Sequence, residues 1–319
     1  MIKPILSIVI VSYNTAEITT NCLKSVLSDK GLEFNLDKKY SDKQPSTIPT
    51  EIIVVDNAST DESVSKIDKF KNSLKIKKFK LKIICNSTNV GFAKANNLGF
   101  EIASGNFVLL LNSDTIIKHS AISQSLIWLS AHPEAGVCTG QLLNKDGTIQ
   151  PTGGFFPNLL NTFAWSLFLD DLPFINKLIP PIHPHPPQFY TKDNFYLKDR
   201  QLDWVTAAFM LTRKEIINKT KGFDPNYFMY AEEIEWSYRI KKTFPKLQTW
   251  YLIGPQIIHL GGASATNNTD KLLREYTGIL HFFKKHKPGA AKFARIFLQL
   301  GCLLRSLFNP NYKNLWQKI

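Results

Sequence analysis

Three carboxylates, Glu232, Glu233 and Glu235, stand among Phe228, Met229, Tyr230, Ile234 and Trp236 in the stretch FMYAEEIEW. Ionised carboxylates are costly to bury beside apolar and aromatic neighbours unless something pairs with them. A helix that turns its glutamates to water avoids that cost. A partly desolvated pocket meets it differently, raising the carboxylate pKa and so strengthening the group as a proton acceptor. Other polar residues fall where apolar runs stop: Tyr13 and Asn14 after SIVIVS, Asp56 and Asn57 after EIIVV, and Asn112, Ser113 and Asp114 after FVLLL. An Asp at such a point can accept hydrogen bonds from a base or a ribose. His259, just ahead of Gly261 and Gly262, would by itself be a capping or core residue.

These residues must be held by strands and helices, and the apolar periodicity supplies them. LSIVIVSYN is a β-branched run followed by a helical pattern through Ile18, Cys22, Leu23, Val26 and Leu27. EIIVVDNAST repeats the design, with Ser59 and Asp61 as helix-start signals. LKIICN predicts a third strand, NVGFAKANNLGFEIAS a helix and NFVLLLNSD a fourth strand, almost wholly apolar as in a parallel sheet covered on both faces. In such a sheet ligands bind at the carboxyl ends of the strands, so the three polar ends predict one crevice. The Lys-rich residues 29–50 read as a mobile surface insertion, and the Pro-rich residues 173–190 as a loop near the acceptor side whose His183 and His185 are solvated. TWYLIGPQIIHLGG predicts a late strand ending at His259.

Composition narrows the function classes. A chain of 319 residues with 44% hydrophobic content can bury a full core. A net charge of +13 asks for anionic partners, whether nucleic acid, nucleotide phosphate or lipid. Cys22, Cys85, Cys138 and Cys302 form no CxxC pair and read as reduced, small core residues of a cytoplasmic protein. There is no GxGxxG and no GxxxxGK[ST], which removes the dinucleotide fingerprint and the P-loop. The apolar N-terminal run is too short for a signal peptide, and IFLQLGCLL between Arg295 and Arg305 is too short to cross a bilayer.

In order, SIVIVSYN, VVDNAST, NVGFAKANN, LLLNSD, WVTAAFML, GFDPNYFMYAEEIEW and HLGGAS resemble glycosyltransferase family 2, and within it the rhamnosyltransferase-like branch. The resemblance covers roughly residues 5–265. It implies an α/β GT-A fold, a single Rossmann-like domain with a mixed, mainly parallel sheet flanked by helices. It implies an inverting transfer from a nucleotide-diphosphate sugar, dTDP-rhamnose before UDP-hexose, assisted by Mn²⁺ or Mg²⁺. Residues 1–115 become the nucleotide-sugar half, 116–265 the acceptor and catalytic half, and 266–319 a helical appendage.

Carried over by position, Asp56 looks like the reader of the nucleobase, with Tyr13, Asn14 and Asn57 beside it. Asn89, Gly91 and Asn96 match the block that packs against the nucleotide, with Asn112 and Ser113 near it. Asp114 closes a DxD-like motif that holds the cation, and His259 matches the histidine completing the metal site, an imidazole being more natural for Mn²⁺ than for Mg²⁺. The acidic block, usually Glu-Asp, makes Glu233 the catalytic base with Glu232 and Glu235 as positioning neighbours. Glu-Glu adds a methylene, roughly 1.5 Å, so either the pocket adjusts or Glu232 is the base. Trp204, Thr206 and Ala207 would line the sugar and acceptor pocket. Rival readings are a sugar nucleotidyltransferase, for which SYNTAEITT lacks a Gly-rich basic loop, and a catalytically degenerate sugar-nucleotide binder. A nucleic-acid module would not explain strand-end carboxylates, which repel phosphate.

From Lys271 to Ile319 there are ten Lys or Arg against one Glu, and the basic residues alternate with helically spaced Phe, Ile and Leu. That composition suits either an amphipathic segment on an anionic bilayer or a helical pair packed on the domain. The membrane alternative implies a lipid-linked saccharide acceptor, cell-surface polysaccharide synthesis and a peripheral place on the inner face of the cell membrane.

Overall fold

The computed structural model describes residues 3–36, 47–74, 76, 79–172, 174–185, 195–262 and 268–319. Parts of the expected insertion (37–46) and Pro-rich loop (173 and 186–190), and Ala263 and Ser264 of HLGGAS, lie outside the described residues.

The chain runs β1 (Leu6–Ser12), α1 (Ala16–Leu27), β2 (Leu32–Glu33), β3 (Ile48–Asp56), α2 (Ser63–Ser73), β4 (Leu81–Cys85), α3 (Phe92–Ile102) and β5 (Phe107–Asn112). It continues with β6 (Thr115–Ile117), α4 (Ala121–Ala131), β7 (Ala135–Leu143), β8 (Gly153–Gly154), α5 (Leu159–Ser166), α6 (Ile175–Leu178), β9 (Arg200–Leu202), β10 (Trp204–Val205) and β11 (Phe209–Arg213). Last come α7 (Lys214–Thr220), α8 (Glu232–Thr243), β12 (Gln248–His259), α9 (Asn268–His286) and α10 (Pro288–Ser306). The main sheet has the order β2-β3-β1-β5-β11-β7-β12-β6, with β4 beside β3 and β9 beside β12. Its first half is parallel; β11 runs antiparallel to both β5 and β7, and β6 and β9 antiparallel to β12.

Alternation along each strand fills two cores. Val9, Ile53, Val55, Val108 and Leu110 face one side, while Ile8, Ile10, Ile52, Val54, Leu109 and Leu111 face the other. Burial on both faces is why these strands are continuously apolar in sequence.

The ends of the 29–50 segment differ from the expected mobile insertion. Asp29 is buried and accepts hydrogen bonds from the backbone N–H of Ile122 and Ser123 at 3.0 and 3.1 Å, satisfying orphan donors at the start of α4. Ile48 to Thr50 already belong to β3. The histidines also depart from expectation. His183 is half-buried against Trp165 and Trp204, 3.4 Å from the Glu275 carboxylate, and His185 lies 3.0 Å from that of Asp171. Among the cysteines Cys85 is exposed and the other three are buried.

The C-terminal helices pack on the domain. Phe282 and Phe283 of α9 and Leu298 and Cys302 of α10 are fully buried in the same core as Val9 and Trp236. An ionic cluster adds to this contact. Fully buried Glu235 accepts from Arg239 at 2.8 Å, Lys285 at 2.8 Å and His286 at 2.9 Å, and half-exposed Lys285 also reaches Asp224 at 2.6 Å. No described helix is long and apolar enough to cross a membrane. On α10 the outward stripe Phe293, Ile296, Leu300 and Leu303 remains exposed, continued by Leu307 just past the helix end.

At the α10–α5 contact, a Cβ on Gly301 would come within 2.8 Å of the Ser166 carbonyl oxygen, whereas one on Gly289 meets nothing. Gly301→Val is therefore expected to lower the thermal midpoint, at a cost of about 1–3 kcal/mol from overpacking. Gly289→Ala should leave it unchanged or raise it. Equal midpoints for the two variants in a thermal melt would contradict this packing.

Candidate active site

Strand register makes the crevice. Ser12 pairs with Asp56 and Val11 with Asn112, so the polar residues after β1, β3 and β5 leave the sheet at one level. Antiparallel β11 begins where β5 ends, the Asn112 N–H donating to the Ala208 carbonyl at 3.0 Å, which sets Thr206 and Ala207 alongside. Antiparallel pairing of β12 with β6 puts His259 opposite Thr115, and the Leu260 N–H donates to the Asp114 carbonyl at 2.9 Å. The result is a cavity of about 770 Å³ lined by Tyr13, Asn57, Asn89, Gly91, Asn112, Ser113, Asp114, Thr206, Ala207, Glu232, Glu233 and His259.

Five expected site residues do not line it. Asn14, in the left-handed region at φ 53°, accepts from the Thr60 N–H at 2.8 Å and clips two loops together. Asn96 is buried and donates to the Phe92 carbonyl within α3. Trp204 is a core residue, its indole N–H donating to the Phe155 carbonyl at 3.3 Å while its ring packs on His183. Glu235 faces Arg239, Lys285 and His286, because two residues further round α8 from Glu233 a side chain points to another face. Burial would raise its pKa, but the hydrogen bonds from Arg239 and the two α9 side chains hold it below the ordinary range. Asp56 is 2% exposed; one carboxylate oxygen accepts from the Ser59 N–H at 2.9 Å and the other is buried without a hydrogen-bond partner among the described residues.

The imidazole of His259 has an assignable tautomer. Its Nδ1 lies 2.6 Å from Gln150 Oε1, whose amide is oriented by donating its own N–H to Asn144 at 3.0 Å. Nδ1 therefore carries the proton and Nε2 presents a lone pair. That lone pair stands 3.3 Å from Asp114 Oδ1. The Asn112 amide also lies 3.3 Å from Nε2 and can donate to it, and a proton or a cation between imidazole and carboxylate would relieve their close approach. A hard carboxylate oxygen and an imidazole nitrogen form a donor set that fits Mn²⁺, and Asp114 also suits Mg²⁺. Among the described residues no third His, Cys, Asp or Glu joins them in a ready cluster, which leaves further positions to a ligand's oxygens.

Glu232 and Glu233 begin α8, where the helix dipole favours ionised carboxylates. Burial opposes it and wins. Glu232 is raised well above its usual range by burial and then by the Glu233 charge. Glu233 is pushed up to about 7 by burial, partly offset by a backbone hydrogen bond and aided by the charge of Glu275. Glu232 is 3% exposed while Glu233 opens further onto the cavity; each keeps one Oε2 without a donor among the described residues. The preceding residues Tyr230 and Ala231 sit at φ 73° and 67°, a conformation costing non-glycine residues roughly 1–3 kcal/mol each. The chain sustains it by tying this loop down: the Phe92 N–H donates to the Phe228 carbonyl at 2.6 Å, and Asn97 exchanges two hydrogen bonds with the Phe223 backbone at 2.9 Å.

Gly91 joins the two halves. It lies at φ 86°, and a Cβ there would meet the Phe228 carbonyl at 2.6 Å, so the position excludes other residues twice over. Asn57 braces the same loop, donating to Asn89 Oδ1 at 2.8 Å and accepting from the Val90 N–H at 3.0 Å.

Sequence reasoning missed Gln150, Asn97 and three α9 residues, Asp270, Lys271 and Arg274, which line the cavity from beyond the division expected at residue 265. Only the Asn96-Asn97 doublet carried a local signal.

With this geometry in hand, the likenesses to known proteins are informative. An N-acetylglucosaminyl-diphospho-decaprenol L-rhamnosyltransferase of Mycobacterium tuberculosis is 22% identical over 209 residues, covering 61% of this chain and 62% of that protein. The chain thus spans less than two thirds of that relative's length. A Pyrobaculum calidifontis mannosyltransferase solved with GDP-Man and Mn²⁺ superposes with a TM-score of 0.55 at 13% identity, over 98% of this chain and 74% of that one. GalNAc-T7 with UDP, GalNAc and Mn²⁺ gives 0.60 at 14%, over 99% and 54%. These superpositions place the fold as GT-A: a mixed, mainly parallel sheet with flanking helices. Residues 7–220, more than half the chain and most of the segments that converge on the cavity, match the model for Glycosyl transferase family 2, and the protein belongs to that family.

Proposed function

We propose that this protein is an inverting glycosyltransferase that moves a sugar from a nucleotide-diphosphate donor to a saccharide acceptor, and that a divalent cation assists it. The observation that carries this reading is the meeting of Asp114, His259, Asn57 and Glu233, from four distant segments, on one cavity. The 22%-identical mycobacterial relative makes dTDP-rhamnose the first donor to try, with UDP-hexoses next. Residues 1–115 hold the nucleotide, and residues 116–265 supply the base and the acceptor wall.

Asp114 and His259 would hold the cation, Mn²⁺ or Mg²⁺. When bound, it supplies Lewis-acid neutralisation of the diphosphate. The buried, unpartnered oxygen of Asp56 suits an N–H of the base, reached behind Tyr13 and Asn57. Thr206 and Ala207 are small enough to leave room for the sugar. Glu233 takes the proton from the acceptor hydroxyl as that oxygen attacks the anomeric carbon opposite the departing nucleoside diphosphate; one displacement gives one inversion. Glu233 suits the role better than Glu232, because it is the more open to the cavity and its pKa near 7 matches the proton acceptor to neutral solution, where about half of it is ionised.

The basic, partly apolar C-terminal pair supports a further part of the reading, peripheral attachment to an anionic membrane and a lipid-linked acceptor. Phe293, Ile296, Leu300 and Leu303 form an outward stripe on α10, continued by Leu307 just past the helix end and flanked by Lys292 and Arg295, and Phe308 beyond it is 83% exposed. Because α9 and α10 also fill the core, the suitable probe is a surface change and not a truncation. Leu303→Glu with Phe308→Glu should reduce co-sedimentation with anionic phospholipid vesicles about tenfold without changing the thermal midpoint. Equal sedimentation would remove the membrane from the proposal.

Donor hydrolysis and transfer with a panel of nucleotide sugars, with Mn²⁺ or with EDTA, tests the activity directly. Glu233→Gln should lower kcat by at least about 10³-fold while donor binding persists. If Glu233→Gln stays active and Glu232→Gln does not, the base is Glu232; if neither loses activity, the acid-base assignment is wrong.

The elevated Glu233 pKa also sets a pH dependence. Transfer needs the ionised base, so kcat/KM should rise with pH through about 7. Stability should move oppositely. The folded pKa lies above the ordinary 4.5, so the folded state binds the extra proton between about 4.5 and 7, and stability falls as pH rises through that window. Glu233→Gln should flatten the decline; a pH-independent melting midpoint in the wild type would contradict the burial of the pair.

A further inference from the structure

A diphosphate entering the cavity must approach acidic side chains. Asp114 and Asp270 line it, together with Glu232 and Glu233, whose carboxyls burial shifts toward the neutral form. To the cavity lining α9 contributes two cations one helical turn apart, Lys271 and Arg274. Both are exposed, and neither pairs with a carboxylate among the described residues.

Aromatic faces hold them in place. The Arg274 guanidinium carbon lies 4.3 Å from the centroid of Phe228, and Lys271 Nζ lies 5.9 Å from that of Tyr230. A guanidinium over a ring face uses none of its N–H donors on that contact, so they can still grip phosphate oxygens in pairs. Phe228 is itself fixed, its carbonyl bound by the Phe92 N–H and packed on Gly91, so Arg274 is set relative to the loop of residues 89–91 as well as to Glu233.

We propose that Lys271 and Arg274 form a diphosphate clamp contributed by the C-terminal helix. The inference rests on the transferase reading and extends it to residues outside the span that matches the family, 7–220. A diphosphate is common to two candidate ligands, the sugar-nucleotide donor and an acceptor carried on a lipid diphosphate. α9 then has two tasks: its first turns complete the site, and its last turn holds α8 through Lys285, His286 and Glu235.

Calorimetric titration of the full chain with UDP, dTDP and GDP, and separately with farnesyl diphosphate, each with Mg²⁺ or with EDTA, tests the clamp. Arg274→Ala and Lys271→Ala should each weaken binding about tenfold, and the double variant more. Arg274→Lys should recover only part of the loss, since it restores charge without the fork. Lys284→Ala, on an exposed stretch later in α9, should bind as the wild type does. Thermal midpoints serve as the folding control, because both clamp residues are exposed and their loss should not shift them. Loss confined to nucleoside diphosphates assigns the clamp to the donor, and loss confined to farnesyl diphosphate assigns it to the acceptor; either supports it. Wild-type affinity in Arg274→Ala and Lys271→Ala overturns the clamp and leaves the transferase reading standing. Failure of the wild type to bind any diphosphate overturns both.

Discussion

The site is organised around one close contact, an imidazole nitrogen held 3.3 Å from a carboxylate oxygen, which calls for a proton or a cation between the two. Gln150 fixes the tautomer and the β6–β12 pairing fixes the distance. Held in a half-buried cavity, the two groups form a place where positive charge is stabilised, and the same logic accounts for the nearby carboxylates at the start of α8. Their pKa values are raised because burial denies them solvent, which outweighs the backbone hydrogen bonds they receive.

Holding charges in this way requires rigidity, and the structure supplies it from unlike sources. Asn57 and Gly91 lock the loop of residues 89–91 through hydrogen bonds and close packing. Phe92 and Asn97 lock the strained turn before Glu232 from the neighbouring helix. Glu235, buried and paired with side chains of α8 and α9, fastens α8 to the C-terminal pair. Such a pair offers little net stability over apolar packing, but removing one partner strands a buried charge, so it selects a single arrangement of the helices. The appendage is thereby continuous with the domain in core, in ion pairs and in the cavity wall.

Much of this was legible in the residues alone. Continuous apolar strands ending in Asn and Asp predicted a parallel sheet with one crevice, because strands buried on both faces must read that way and their ends must share a level. The strand ending at His259 was legible for a similar local reason. Less accessible was the direction of individual side chains. Trp204 could equally stack on a sugar or fill a core, and only the position of Phe155 and His183 decided for the core. His183 and His185 sit in a proline-rich run that composition marks as a wet loop, yet Trp165, Trp204, Glu275 and Asp171 close around them.

The sequence by itself determined the family, the order of strands and helices, and which residues could bear charge at strand ends, because those follow from local period and residue type. Tertiary structure alone decided that Glu235 turns away while Glu233 turns in, that Gln150 orients His259, and that Lys271 and Arg274 face the cavity. Each of these depends on contacts between segments far apart in the chain, and no local pattern of residues encodes where such a segment will come to rest.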